Sequence, residues 1–153
     1  MHGTIIQLEE KPLRFEEDFA CEEDFYDDFV GVIADYVNDD VDRTEEIRYF
    51  IEKLKEFGIV YNEKEQSITF LKGFKEKYFA TKFLKLKEAV ENLDFEDFVK
   101  DTYKVWEIQN LIDKKYGTYI YIKGEWMTLD TFIRYVLKEG VKYYIGSVLD
   151  YHF

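Results

Sequence analysis

Apolar residues recur along this chain at two spacings, roughly every 3.6 residues in some stretches and every second residue in others, and the switches between them predict the elements. Thr4–Leu8 reads as a short strand and is ended by Glu-Glu-Lys-Pro at 9–12. Phe25, Phe29, Val32, Ile33 and Tyr36 recur at helical spacing, which predicts a helix over 22–38. Asp42-Arg-Thr-Glu45 has the form of a capping box and opens a second helix with Ile47, Phe50, Ile51, Leu54 and Phe57 inward, stopped by Gly58. Ile59–Tyr61 and Ile68–Leu71 flank a polar stretch and read as a hairpin.

A third helix over roughly 75–93 carries Phe79, Phe83, Leu86, Val90 and Leu93 in alternating steps of four and three. Asp94 caps a fourth, running to about Lys115 and ended by Gly117. Lys123-Gly124 joins Tyr119–Ile122 to Glu125–Met127 as a two-residue hairpin. Thr128 caps a fifth helix through Lys138, and Gly146-Ser147 joins Val141–Ile145 to Val148–Phe153 as a last hairpin. The fold class is therefore α+β: about five helices with short antiparallel strands mostly in hairpins. An alternative is a winged-helix-like N-terminal core, with two helices meeting at Asn38–Asp42 and the first hairpin as the wing. No Gly/Ser/Pro linker divides the chain, so residues 1–153 are expected as one domain. A weak helix–hairpin echo relates 44–70 to 128–153, where Ile47-Arg48-Tyr49 matches Ile133-Arg134-Tyr135.

Charge changes this picture more than composition does. The chain carries a formal −12. Residues 1–48 hold 16 acids against four bases, whereas 49–153 hold 17 of each, so the entire net charge lies in the first third. Asp24, Asp28 and Asp35 share one edge of the predicted first helix with Asp27 beside them, and Asp39 and Asp40 follow. These six are the expected partner-binding residues. Residues 16–46 place 14 acids in 31 positions, roughly one per 3.3 Å of idealised helix against about one per 3.4 Å on a nucleic-acid strand. Direct DNA or RNA binding is not expected; a basic protein partner is. Residues 71–87 carry six lysines against Glu76 alone. Lys75, Tyr78, Lys82 and Lys85 line one flank of the third helix, where lysines near the start and Glu88 and Glu91 near the end oppose the helix dipole. The expectation is pairing with the protein's own acids or with a second copy. Tyrosines cluster toward the C-terminal hairpins, where Tyr121 and Trp126 are candidates for a self- or partner-contact surface.

Catalytic signatures are missing. Histidine occurs only at positions 2 and 152 and serine only at 67 and 147, and no phosphate loop, nucleophile elbow or dinucleotide fingerprint is present. Cys21 lies among Glu22, Glu23 and Asp24, which blunts a thiol. Asn38–Glu46 approaches a calcium loop but has Arg43 where Gly is required and Tyr49 where a bidentate Glu is required. No metal, cofactor or catalytic residue is expected. The longest nearly apolar run, Phe29–Ala34, is far short of the roughly 20 residues of a membrane span. With no signal-peptide pattern and a single cysteine, a cytoplasmic location is expected. The reading that follows is a non-catalytic interaction or regulatory protein. Its alternatives are a nucleic-acid mimic that occupies a basic nucleic-acid-binding protein, and an enzyme dependent on carboxylates or tyrosines without a recognisable motif.

Overall fold

The computed structural model describes all 153 residues. Its centre is a seven-stranded mixed sheet made from β1 (His2–Glu9), β2 (Tyr36–Asn38), β3 (Ile59–Asn62), β4 (Ser67–Phe70), β5 (Thr118–Ile122), β6 (Glu125–Thr128) and β7 (Lys142–His152). The order is β3-β4-β7-β1-β5-β6, with β2 also paired to β7. All pairs are antiparallel except β1 with β5, which run parallel from Thr4↔Thr118 to Gln7↔Tyr121. The helices are α1 (Arg43–Leu54), α2 (Phe74–Glu91), α3 (Phe95–Lys100), α4 (Tyr103–Ile112) and a short α5 (Leu129–Thr131) continued by a π-turn over Phe132–Val136. The α+β class holds. The sheet is mixed, with β1 and β5 parallel, where antiparallel strands mostly in hairpins were expected.

Strand alternation sorts the core into two layers. Ile6, Leu8, Ile120, Ile122, Ile68 and Phe70 face α1, α2 and α5, meeting Ile47, Phe50, Leu54, Phe74 and Phe132. Ile5, Tyr119, Leu149 and Tyr151 face the other way, under Ala20, Phe25, Phe29, Ala34 and Val37. α1 follows its sequence signals closely, since the Asp42 carboxylate accepts from the Glu45 amide. The β5–β6 turn does so too, with Lys123 and Gly124 both at positive φ as a type I′ turn requires.

Three expectations are corrected. First, 22–38 is not a helix. A 3₁₀ turn at Glu22–Phe25 gives way to irregular turns and then to β2. Gly31 sits at φ +89° and donates to the Ala34 carbonyl at 2.8 Å, reversing the chain. β-branched Val30, Val32 and Ile33 and the clustered aspartates weaken a local helix, and the edge of β7 supplies an alternative set of backbone hydrogen bonds. The winged-helix alternative fails with that helix. Second, Gly146-Ser147 is a β-bulge inside one continuous strand. Ile6 faces Val148 while Leu8 faces Ile145, so two residues of β7 oppose Gln7 alone. The bulge shifts the alternation by one, which keeps Ile145 and Val148 on the same face. The 128–153 half of the helix–hairpin echo therefore ends in a single strand. Third, the fourth helix breaks at Asp101, which is left-handed at φ 52°. Asp97 accepts from the Thr102 hydroxyl and from Lys104 Nζ across the break.

The segment over 75–118 contains no buried residue. α2 leaves the body after Tyr78, Phe79 and Lys82, α3 turns at its end, and α4 returns packed along α2. The result is a helical arm that projects from the sheet.

Candidate functional site

β7 offers one edge to two strands. β4 takes Lys142–Tyr144, the Gln66 carbonyl takes the Ile145 amide and β2 takes Asp150–His152, leaving Gly146–Leu149 open between them. Arg43, the first residue of α1, fills that gap. Its Nε and Nη2 donate to the Gly146 carbonyl at 3.1 and 3.0 Å, Nη2 also to the Ile145 carbonyl at 3.0 Å, and Nη1 to Gln66 Oε1 at 2.7 Å. No carboxylate pairs with it, and burial holds its pKa below that of a free guanidinium. Its guanidinium carbon lies 5.7 Å from the centre of the Phe19 ring.

A second pin holds the loop that carries Phe19. The Gln7 side chain is buried opposite the bulge: Nε2 donates to the Asp18 carbonyl at 2.8 Å, and Oε1 accepts from the Ala20 amide at 2.9 Å and the Ser147 amide at 3.1 Å. Ser147 Oγ donates to the Ala20 carbonyl at 2.5 Å. Gly146 has to be glycine here, because a Cβ would stand 2.3 Å from Gln7 Oε1.

These pins shape two shallow clefts that share Phe15, Phe19 and Arg43. One, about 550 Å³, is walled by Pro12, Leu13, Gln66 and Tyr144. The other, about 620 Å³, is rimmed by Glu16, Glu22, Glu23 and Asp39. Phe15 stands between them with 75% of its surface exposed, its ring edge-on to Phe19 at 5.4 Å. Arg14 neutralises Glu17 and Asp18 and holds the Asp18 carboxyl below its usual range. Glu16, Glu22, Glu23 and Asp39 have no cation partner. At the rim the Cys21 thiol is pushed up, first by its hydrogen bond with Glu23, then by burial and by Asp24. No three His, Cys, Asp or Glu side chains converge to hold a metal ion anywhere in the chain.

The six aspartates singled out from the sequence all lie on this overlay, though on no helix edge. Asp24 accepts from the Cys21 amide at 2.8 Å, and Asp35 meets His152 Nδ1 at 3.1 Å. Asp27, Asp28, Asp39 and Asp40 are exposed. Because the segment is irregular, the comparison of helical rise with nucleic-acid charge spacing no longer applies. The lysine flank finds partners on its own chain: Lys75 Nζ donates to the Arg134 carbonyl at 2.5 Å, Tyr78 donates to Asp130 at 2.6 Å, and Lys82 forms an ion pair with Asp130. Lys85 is exposed and unpaired. Tyr121 and Trp126 lie under the acidic segment, 4.9 Å from Phe25 and 5.0 Å from Phe29, so they serve packing between layers. Arg43, Gln7, Phe15 and Phe19 carry no motif. The one usable signal is a cation at the first turn of a helix, where the dipole disfavours it. No protein family, curated protein or solved structure matches the chain.

Proposed function

We propose that this protein is an interaction protein that binds a basic segment of a partner polypeptide in the paired clefts around Phe15. The observation that carries this reading is an exposed aromatic ring on a pinned loop, edged on one side by four carboxylates, Glu16, Glu22, Glu23 and Asp39, that no cation of the chain neutralises. Aromatic anchors surrounded by polar rims are the usual energetic centres of interfaces. A lysine or arginine stem laid along Phe15 and Phe19 places its charge among Glu22, Glu23 and Asp39, and a neighbouring aliphatic residue fits the cleft lined by Leu13 and Tyr144. The acidic overlay extends the attraction beyond the cleft and speeds encounter. We place this binding in the cytoplasm, where a lone protonated thiol is stable.

Fluorescence anisotropy with a labelled peptide of alternating Lys and Leu tests it, with a Glu/Leu peptide as the control. The Lys/Leu peptide binds, and raising salt from about 50 to about 300 mM weakens it. Phe15→Ser weakens it about tenfold or more, and Glu23→Gln with Asp39→Asn removes most of the salt dependence. Equal binding of the acidic peptide, or full binding by Phe15→Ser, overturns the proposal.

A further inference from the structure

The helical arm lacks a core of its own. Along α2, which packs against α4, Leu86 and Ala89 are half-buried, while Ala80, Phe83, Leu84, Lys87, Val90 and Glu91 are exposed. At 3.6 residues per turn those six fall within one arc of about 120°. On α3, which follows after a short turn, Phe95 and Phe98 are 82% and 65% exposed. Together with Phe83, Leu84, Val90 and Val99 they expose roughly 700 Å² of apolar residue surface on the arm, close to the ~800 Å² each partner contributes to a stable complex.

Charge selects the occupant. Residues 75–87, at the root, carry five lysines against one glutamate; 88–101, at the tip, carry six acids against one lysine. Root and tip are thus complementary, but only to an arm running the other way. Lys87 and Glu91 stand four residues apart on the open face without pairing with each other, and Lys77, Lys85 and Glu88 elsewhere on α2 also have no ion-pair partner. From Phe74 to Ile112 the net charge is −1, so the arm is where a second copy of a −12 chain approaches without repulsion.

We propose that two copies of this chain associate through their arms, antiparallel about a two-fold axis level with Ala89. Phe83 of each packs on Phe95 of the other, and Lys87 of each pairs with Glu91 of the other, an isologous contact in which one patch recognises itself. Glu91, which opposes the α2 dipole at its C-terminal end, is then neutralised by the partner's Lys87. α2 is about 27 Å long, so overlap near the tips keeps the acidic bodies several Debye lengths apart.

Size-exclusion chromatography with light scattering tests the proposal on the full chain. Wild type gives twice the 18.5 kDa of one chain, and Phe83→Asp/Phe95→Asp gives the monomer. Lys87→Glu and Glu91→Lys are each monomeric, with unchanged far-UV circular dichroism, because each sets like charges opposite one another. Mixed in equal amounts, they restore the dimer, since every contact then pairs unlike charges. Wild type that stays monomeric to about 200 µM, a dimer that survives in either single charge variant, or a mixture that stays monomeric overturns it.

Discussion

Replacing Gln7 by leucine tests whether the side chain under the bulge joins three parts of the molecule. The shape is nearly conserved, and the amide is lost. The Asp18 carbonyl, the Ala20 amide and the Ser147 amide then have no partner. Each buried backbone group left unpaired costs about 1–3 kcal/mol, and a newly buried leucine returns roughly 1.5–3 kcal/mol. With the three groups at about 2 kcal/mol each and some water reaching the loop, the net loss is about 3 kcal/mol, out of the roughly 5–15 kcal/mol that holds a domain together. Urea denaturation measures it as a lower midpoint at unchanged slope. Hydrogen exchange adds a local reading: the Ala20 and Ser147 amides lose protection before the amides of β5 do. A loss under about 1 kcal/mol, or unchanged protection at both amides, refutes the claim that Gln7 pins the cleft loop to the sheet.

Arg43→Lys is expected to destabilise by about 2 kcal/mol despite keeping the charge, because an ammonium cannot replace the four hydrogen bonds that the planar fork makes to three acceptors; thermal unfolding monitors it. Alkaline titration followed by tyrosine absorbance is expected in two phases. Burial raises Tyr78, Tyr121, Tyr143 and Tyr151 and pushes Tyr119 up to about 12. The folded state keeps protons that the unfolded chain releases near its ordinary pKa of about 10, so stability falls as pH rises past that value. A single phase at the ordinary tyrosine value refutes this. Cys21 is expected to alkylate slowly near pH 8, and Glu23→Gln to speed it, since the Glu23 carboxylate is the first cause of the raised thiol pKa; equal rates in the two proteins refute that assignment.

What the sequence makes legible is what short-range chemistry decides. Asp42 ahead of Ile47, Phe50 and Leu54 is enough to place α1, and Lys123-Gly124 is enough to place the β5–β6 turn. The segment 22–38 is misread because Phe25 and Phe29 satisfy helical spacing, yet their partners are Tyr119, Tyr121, Trp126 and Tyr151, about a hundred residues away. Gly146-Ser147 carries a turn signal that an amide from the opposite strand converts into a bulge. α2 is legible as a helix, but its apolar stripe predicts burial where the arm leaves Phe83 open. The acidic surface is legible as charge alone. The cleft within it depends on Phe15 and Phe19, which follow no period, and on contacts from Arg43 that span about a hundred residues.

β7 pairs with β1, β2 and β4, and it is the last of the seven strands to leave the ribosome. During synthesis α1, α2 and the β3–β4 hairpin form from local contacts, while β1 waits more than a hundred residues for its antiparallel neighbour. At about 5–20 residues per second that wait lasts roughly 5–30 s, with one edge of β1 unpaired throughout. The many early acids are well placed for that interval. They lie just after the exposed strand, and their mutual repulsion keeps unfinished chains apart until the final strand closes the sheet.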